Sequence, residues 1–171
     1  MSAAVSGARP EWASVAAAGD WAAWPGLPAD LSEPELASAL GVDVADAERR
    51  GVRLGTRAAE LAIVGATRWW TVEGHVVLIQ LEDPACVTPP AELLGSLGPA
   101  DRTGDGRWLR IGATTIEHVY AARGVSLTVA ESYLEPPTFE PFLVAVLLFS
   151  PTGMTPFVVE LGGNDRPGPR T

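Results

Sequence analysis

The sequence predicts an α+β fold, and three observations predict it. Two short segments, Ser32 to Gly41 and Thr88 to Gly98, carry the start and stop signals of helices. Runs rich in β-branched and aromatic residues are separated by glycine-containing turns, as strands are. The helix signals and part of the chain after each of them recur at an offset of 57 residues, which marks a degenerate internal repeat. The chain has 171 residues, 47% hydrophobic and 19% charged. That is enough apolar material for one core and excludes wholesale disorder.

Taken in order, residues 1–30 form an Ala- and Trp-rich segment in which Pro10 opens a short helix. Trp12, Val15 and Ala16 share one face of it, and the helix fails at Gly19. Ser32 then caps a second helix, Glu35 completes a capping box three residues on, and Gly41 ends it in a left-handed conformation. Arg68 to Val72 and His75 to Leu81 read as strands about a tight Glu73-Gly74 turn. Thr88 to Gly98 repeats the helix sentence: hydroxyl cap, proline in the first turn, two leucines four apart, terminal glycine. In this register Leu36 falls on Leu93, Leu40 on Leu97, Gly41 on Gly98, Arg53 to Gly55 on Arg110 to Gly112, and Glu60 on Glu117.

After Glu60 and Glu117 the register slips by seven, so that Ile116 to Tyr120 and Val125 to Val129 match the first copy's two strands. Alternation puts Val125, Leu127 and Val129 on a buried face and Ser126 and Thr128 on a wet one. Phe142 to Phe149 is a last strand; Thr155 to Gly162 reads equally as helix or strand. The organisation expected is an N-terminal segment 1–30 and one α+β domain 31–161, followed by a frayed tail 162–171. The domain is built from repeats 31–84 and 85–135 plus a C-terminal element.

The cadence of a short helix ending in Leu-Gly, then a strand, a glycine turn and another strand is clearest in Leu97-Gly98-Pro99-Ala100-Asp101 and Val119 to Leu127. It resembles the tandem units of the β-lactamase-inhibitor-protein-like and SmpA/OmlA-like folds over residues 31–129. The resemblance implies a non-enzymatic scaffold that binds another protein. The chain departs from that pattern in lacking a secretion-signal layout and a cysteine pair in each unit, and in carrying extra segments at both ends.

Charge narrows the partners. Twelve basic residues, all arginine, face 21 acidic ones, for a net charge of −9. This disfavours nucleic acid and anionic membrane surfaces, both of which require basic patches. The absence of lysine and the single Asn164 and Gln80 suit a GC-rich genome such as an actinobacterium's. The longest apolar run, Phe142 to Phe149, has eight residues against the ~20 of a membrane helix. The N-terminus lacks a signal-peptide layout and Cys86 is the only cysteine, so a cytoplasmic protein without internal disulfides is expected.

Candidate chemistry is sparse. Glu117, His118 and Tyr120 lie on one strand, but alternation puts His118 and Tyr120 on one face and Glu117 on the other. His75 reads as a solvated turn residue, and two histidines without further ligands make no zinc site. Cys86 has no activating neighbour, Gly104-Asp105-Gly106 lacks the lysine of a phosphate loop, and Glu131, Glu135 and Glu140 form a solvated rim. No catalytic residue, metal or cofactor is therefore expected.

Six tryptophans stand out in so small a chain. Trp69 and Trp70, adjacent on a strand, must face opposite ways, so either the N-terminal segment covers the second ring or that ring is an exposed anchor. The function expected is an acidic module of the inhibitor or immunity type that binds a basic protein through Trp69, Trp70 or Trp108. Its rival is a small-molecule-binding domain or small enzyme with an aromatic pocket using His118 and Tyr120.

Overall fold

The computed structural model describes residues 9–105 and 113–151. Helix α1 (Glu11–Ala18) starts after Pro10 and ends where Gly19 takes φ +70°. Helix α2 (Glu33–Leu40) has the full capping box between Ser32 and Glu35, and Gly41 closes it at φ +67°. Helix α3 (Pro90–Leu97) departs from expectation at its start. Pro89 occupies the cap position and Pro90 the first turn, so the Thr88 hydroxyl lies one residue too early to cap.

Among the described residues eight strands form one antiparallel sheet: β1 (Glu48–Leu54), β2 (Arg57–Val64), β3 (Thr67–Val72), β4 (His75–Glu82), β5 (Arg102–Asp105), β6 (Ala113–Tyr120), β7 (Val125–Ser132) and β8 (Phe142–Phe149). Their order across the sheet is β1-β2-β3-β4-β8-β7-β6-β5. Two meanders, β1 to β4 after α2 and β5 to β8 after α3, thus meet at the central β4–β8 pair. β8 is apolar throughout because it lies at the centre of the sheet, with β4 on one side and β7 on the other.

The element order modifies the repeat. Ile116 to Tyr120 and Val125 to Val129 belong to β6 and β7, the second and third strands of their meander, whereas Arg68 to Val72 and His75 to Leu81 are the third and fourth of theirs. The offset also fails within the strands. Leu36 and Leu93 are both fully buried, as a 57-residue register requires. Glu60, however, pairs with Arg49 beside Glu33 of α2, while Glu117 accepts from Ser126 on the opposite face of the sheet. Strand side chains alternate with period two, so an odd offset exchanges the faces. The starts of β2 and β6, Arg57 and Ala113, are 56 residues apart, an even spacing.

The helices cover one face. Trp12, Leu36 and Leu93 pack there with Trp69, Ile79, Leu127 and Leu148. Trp21, Trp24, Leu27 and Leu31 join the same cluster, so the N-terminal segment completes this core. It is also stitched down by hydrogen bonds: Trp21 Nε1 donates to the Ala85 carbonyl (2.9 Å), Trp24 Nε1 to the Gly124 carbonyl (3.2 Å) and the Leu27 amide to the Phe149 carbonyl (3.3 Å). A second cluster occupies the other face, where Leu61, Ile63, Trp70, Leu78, Leu147 and Phe149 come together from β2, β3, β4 and β8. Ser126 and Thr128 are buried on this face too, at 1% and 3% exposure, so it is not the wet face that alternation alone suggests.

One glycine fixes the join between β6 and β7. Gly124 follows a 3₁₀ turn over Ala121–Arg123 with φ +67°, and its carbonyl accepts the Phe149 amide at 2.9 Å. A Cβ there would lie 2.1 Å from the Phe149 carbonyl oxygen, so only glycine admits the central strand this close.

Candidate functional site

Trp69 and Trp70, the aromatic anchors expected from sequence, do face opposite ways, but both are buried, at 0% and 1% exposure. The physical reason is that the sheet carries an apolar cluster on each face, so each ring has its own core. The N-terminal tryptophans share the Trp69 cluster and leave Trp70 to the other side. Neither ring is an exposed anchor. Trp69 has a structural task instead: its Nε1 donates to Glu33 Oε1 at 2.7 Å. Glu33 in turn pairs with Arg49 at 3.0 Å, and Arg49 with Glu60, so a chain of charge-assisted bonds ties α2 to β1, β2 and β3. These two carboxylates hold the Arg49 guanidinium above its ordinary pKa. Trp108 and Thr155 to Gly162 lie outside the described residues.

His118 and Tyr120 share the helix-covered face of β6, as alternation requires. Tyr120 is 5% exposed and its hydroxyl donates to the Gly98 carbonyl at 3.4 Å, at the end of α3. Burial raises its pKa, with Arg123 opposing. The His118 Nε2 is buried without a hydrogen-bond partner among the described residues. Burial lowers the imidazole pKa, against the opposing pull of Glu131 and Glu117. Glu117 does not orient the imidazole, because it accepts from Ser126 Oγ at 2.6 Å across the other face. The ring and the phenol are thus neighbours on a packed face, and neither lines any of three surface clefts.

The remaining candidates lie apart from one another, at the start of β4 and in the loop after it. His75 is exposed at the start of β4. The half-buried Cys86 thiol donates to the Thr88 carbonyl at 2.9 Å, and burial raises its pKa, which keeps it a thiol at neutral pH. Among the described residues no group of three or more His, Cys, Asp or Glu side chains could hold a metal ion, and no helix is long and apolar enough to cross a membrane.

The first of the three clefts, about 520 Å³, lies between α1 and α2, with Arg9, Trp12, Asp30 and Glu35 in its wall. A second of about 190 Å³ continues from Arg9 toward Thr67 and Leu81. The third, about 330 Å³, lies between the loop after β4 and the start of β8, and its lining includes Val87 and Phe142.

That third cleft adjoins the residues that sequence reasoning misses. Among the described residues the exposed large apolar side chains are Val87 at 67%, Tyr133 at 63%, Leu134 at 43% and Phe142 at 39%. Three of them belong to the connection between β7 and β8 or its end. The Ser132 hydroxyl closes that connection by accepting the amides of Leu134 (3.3 Å) and Thr138 (3.2 Å). Phe139 stacks edge-on to Phe142, ring centroids 5.6 Å apart. The signal present in the sequence is a loop, Tyr133 to Phe142, with prolines and glutamates yet four large apolar side chains. Loops normally avoid such residues unless a surface needs them.

No family model, curated protein or solved structure matches this chain.

Proposed function

We propose that the chain is a non-enzymatic module of the inhibitor or immunity type, acting in the cytoplasm, whose acidic surface binds a basic protein. The observation that carries this reading is how charge is distributed. From Trp69 to Asp101 and from Gly124 to Pro151 there is neither arginine nor lysine, while these stretches hold eight carboxylates. A field of one sign steers an oppositely charged partner to its surface and repels phosphate backbones and anionic lipid. The likeness of the helix, strand and glycine-turn cadence to the β-lactamase-inhibitor-protein-like and SmpA/OmlA-like units points the same way. So does the equal make-up of the two halves, a helix and a four-stranded meander, which we read as a degenerate duplication.

The test is capture on the immobilised chain from a lysate of the organism that makes it, at low ionic strength. The result expected is retention of a basic protein that several hundred millimolar salt releases. Retention of nothing, or only of proteins that resist salt and carry no excess positive charge, overturns the proposal.

A further inference from the structure

We propose that the loop after β4, residues 83–90, and the β7–β8 connection, residues 132–142, form the docking surface, and that its occupant is a partner segment presenting apolar side chains flanked by arginine or lysine. This rests on the protein-binding reading and adds where the partner sits and what it presents.

Four observations converge on this end of the molecule. First, among the described residues the exposed large apolar side chains, Val87, Tyr133, Leu134 and Phe142, all belong to these two segments. Second, the segments adjoin: the cleft of about 330 Å³ has Val87 and Phe142 in one lining, with Pro84, Pro89 and Pro141 as stiff walls. The Asp83 amide also donates to the Val144 carbonyl at 2.8 Å. Third, the connection is held in shape before any partner arrives, because the Ser132 hydroxyl accepts two of its amides and Phe139 braces Phe142. A preorganised loop loses less entropy on binding than a loose one. Fourth, the charged side chains of the two segments, and Glu131 beside them, are all acidic. Asp83, Glu135 and Glu140 are exposed, and Glu131 is half-exposed. Arg68, on the neighbouring strand β3, is 3% exposed and pairs with Glu82 at 2.7 Å, so it offers this surface no free positive charge.

An apolar centre inside a polar rim is how protein interfaces are built, and the rim here fixes the partner's sign. A second copy of the chain would bring like charges together, and nucleic acid or an anionic membrane would meet the same repulsion. Tyr133 is the residue type enriched in binding hot spots and the leading candidate for the anchor.

The experiment uses the whole chain, labelled for heteronuclear NMR, titrated with a short peptide alternating arginine and leucine. Two control peptides replace its arginines by glutamate or its leucines by alanine. Shift changes centred on Val87, Tyr133, Leu134 and Phe142 are expected with the first peptide only. Affinity should also fall by about tenfold or more in a Val87→Ser/Tyr133→Ala variant whose remaining amide spectrum is unchanged. Both substituted residues are exposed, and a fold defect would show at once in that spectrum. No binding at millimolar peptide, equal binding of a control peptide, or changes centred elsewhere overturns the proposal. If a captured basic protein binds the double variant as tightly as the wild type, this surface is wrong while the protein-binding reading stands. If no basic protein binds the chain at all, the reading itself fails.

Discussion

At the scale of single residues, Trp69 and Tyr120, which look like function in the sequence, turn out to be fasteners. Trp69 is a clear case, since its indole N–H ends on a carboxylate that also holds Arg49. Trp69→Phe removes the donor, leaving Glu33 one hydrogen bond short, and opens a cavity where the larger indole packed. A loss of at least about 2 kcal/mol in denaturant unfolding is expected, from the lost bond to a charged group and the cavity together. His118 gives a pH test. Its folded pKa is depressed by burial, so between that value and the unfolded value of about 6.5 the unfolded chain binds more protons. Stability from this group is therefore present above pH ~6.5 and is lost as pH falls toward the folded pKa. Unfolding midpoints of wild type and His118→Gln, compared across that interval, should diverge in slope, with the variant flatter. Equal slopes would mean that the imidazole titrates as freely as in solution. The exposed residues of the proposed docking surface are hard to find in the sequence, because Val87 and Leu134 are ordinary in type and distinguished only by where the chain leaves them.

At the scale of elements, legibility tracks local chemistry. The capping box of Ser32 and Glu35, the αL glycines after α1 and α2, the Glu73-Gly74 hairpin and the span of β8 are all readable, since each is decided within a few residues. β1 and β2 are not. Glu48–Leu54 carries three arginines and a glycine because it is the sheet edge, where charge blocks further pairing. Arg57–Val64 is rich in alanine, whose strand propensity is low, and is a strand because β1 and β3 flank it. Registers and faces are likewise set by long-range pairing, which explains why the helices α2 and α3 keep the 57-residue spacing while the strands after them do not. The β6–β7 connection offers the sharpest test at this scale. Gly124→Ala forces a Cβ against the Phe149 carbonyl oxygen at a backbone angle alanine avoids. It should cost at least about 3 kcal/mol, the upper part of the usual range for one substitution. A melting temperature within a few degrees of wild type would show that the turn can move away from β8.

At the scale of the whole molecule, the sheet carries a core on each face, and among the described residues the large apolar side chains left exposed lie in the loop after β4 and around the β7–β8 connection, beside acidic residues. Trp69 and Trp70 are spent on folding, and the surface that replaces them comes from loops attached to the central strands β4, β7 and β8. On the proposed reading the charge surplus of the chain, −9, has a kinetic role: it would hasten encounter with a basic partner, while the apolar centre would set how long the complex lasts. The most direct test is the rate of association with the captured basic protein, measured by stopped flow from low salt to several hundred millimolar. The association rate should fall steeply with ionic strength while the dissociation rate changes little. An association rate indifferent to salt would contradict this role for the charge.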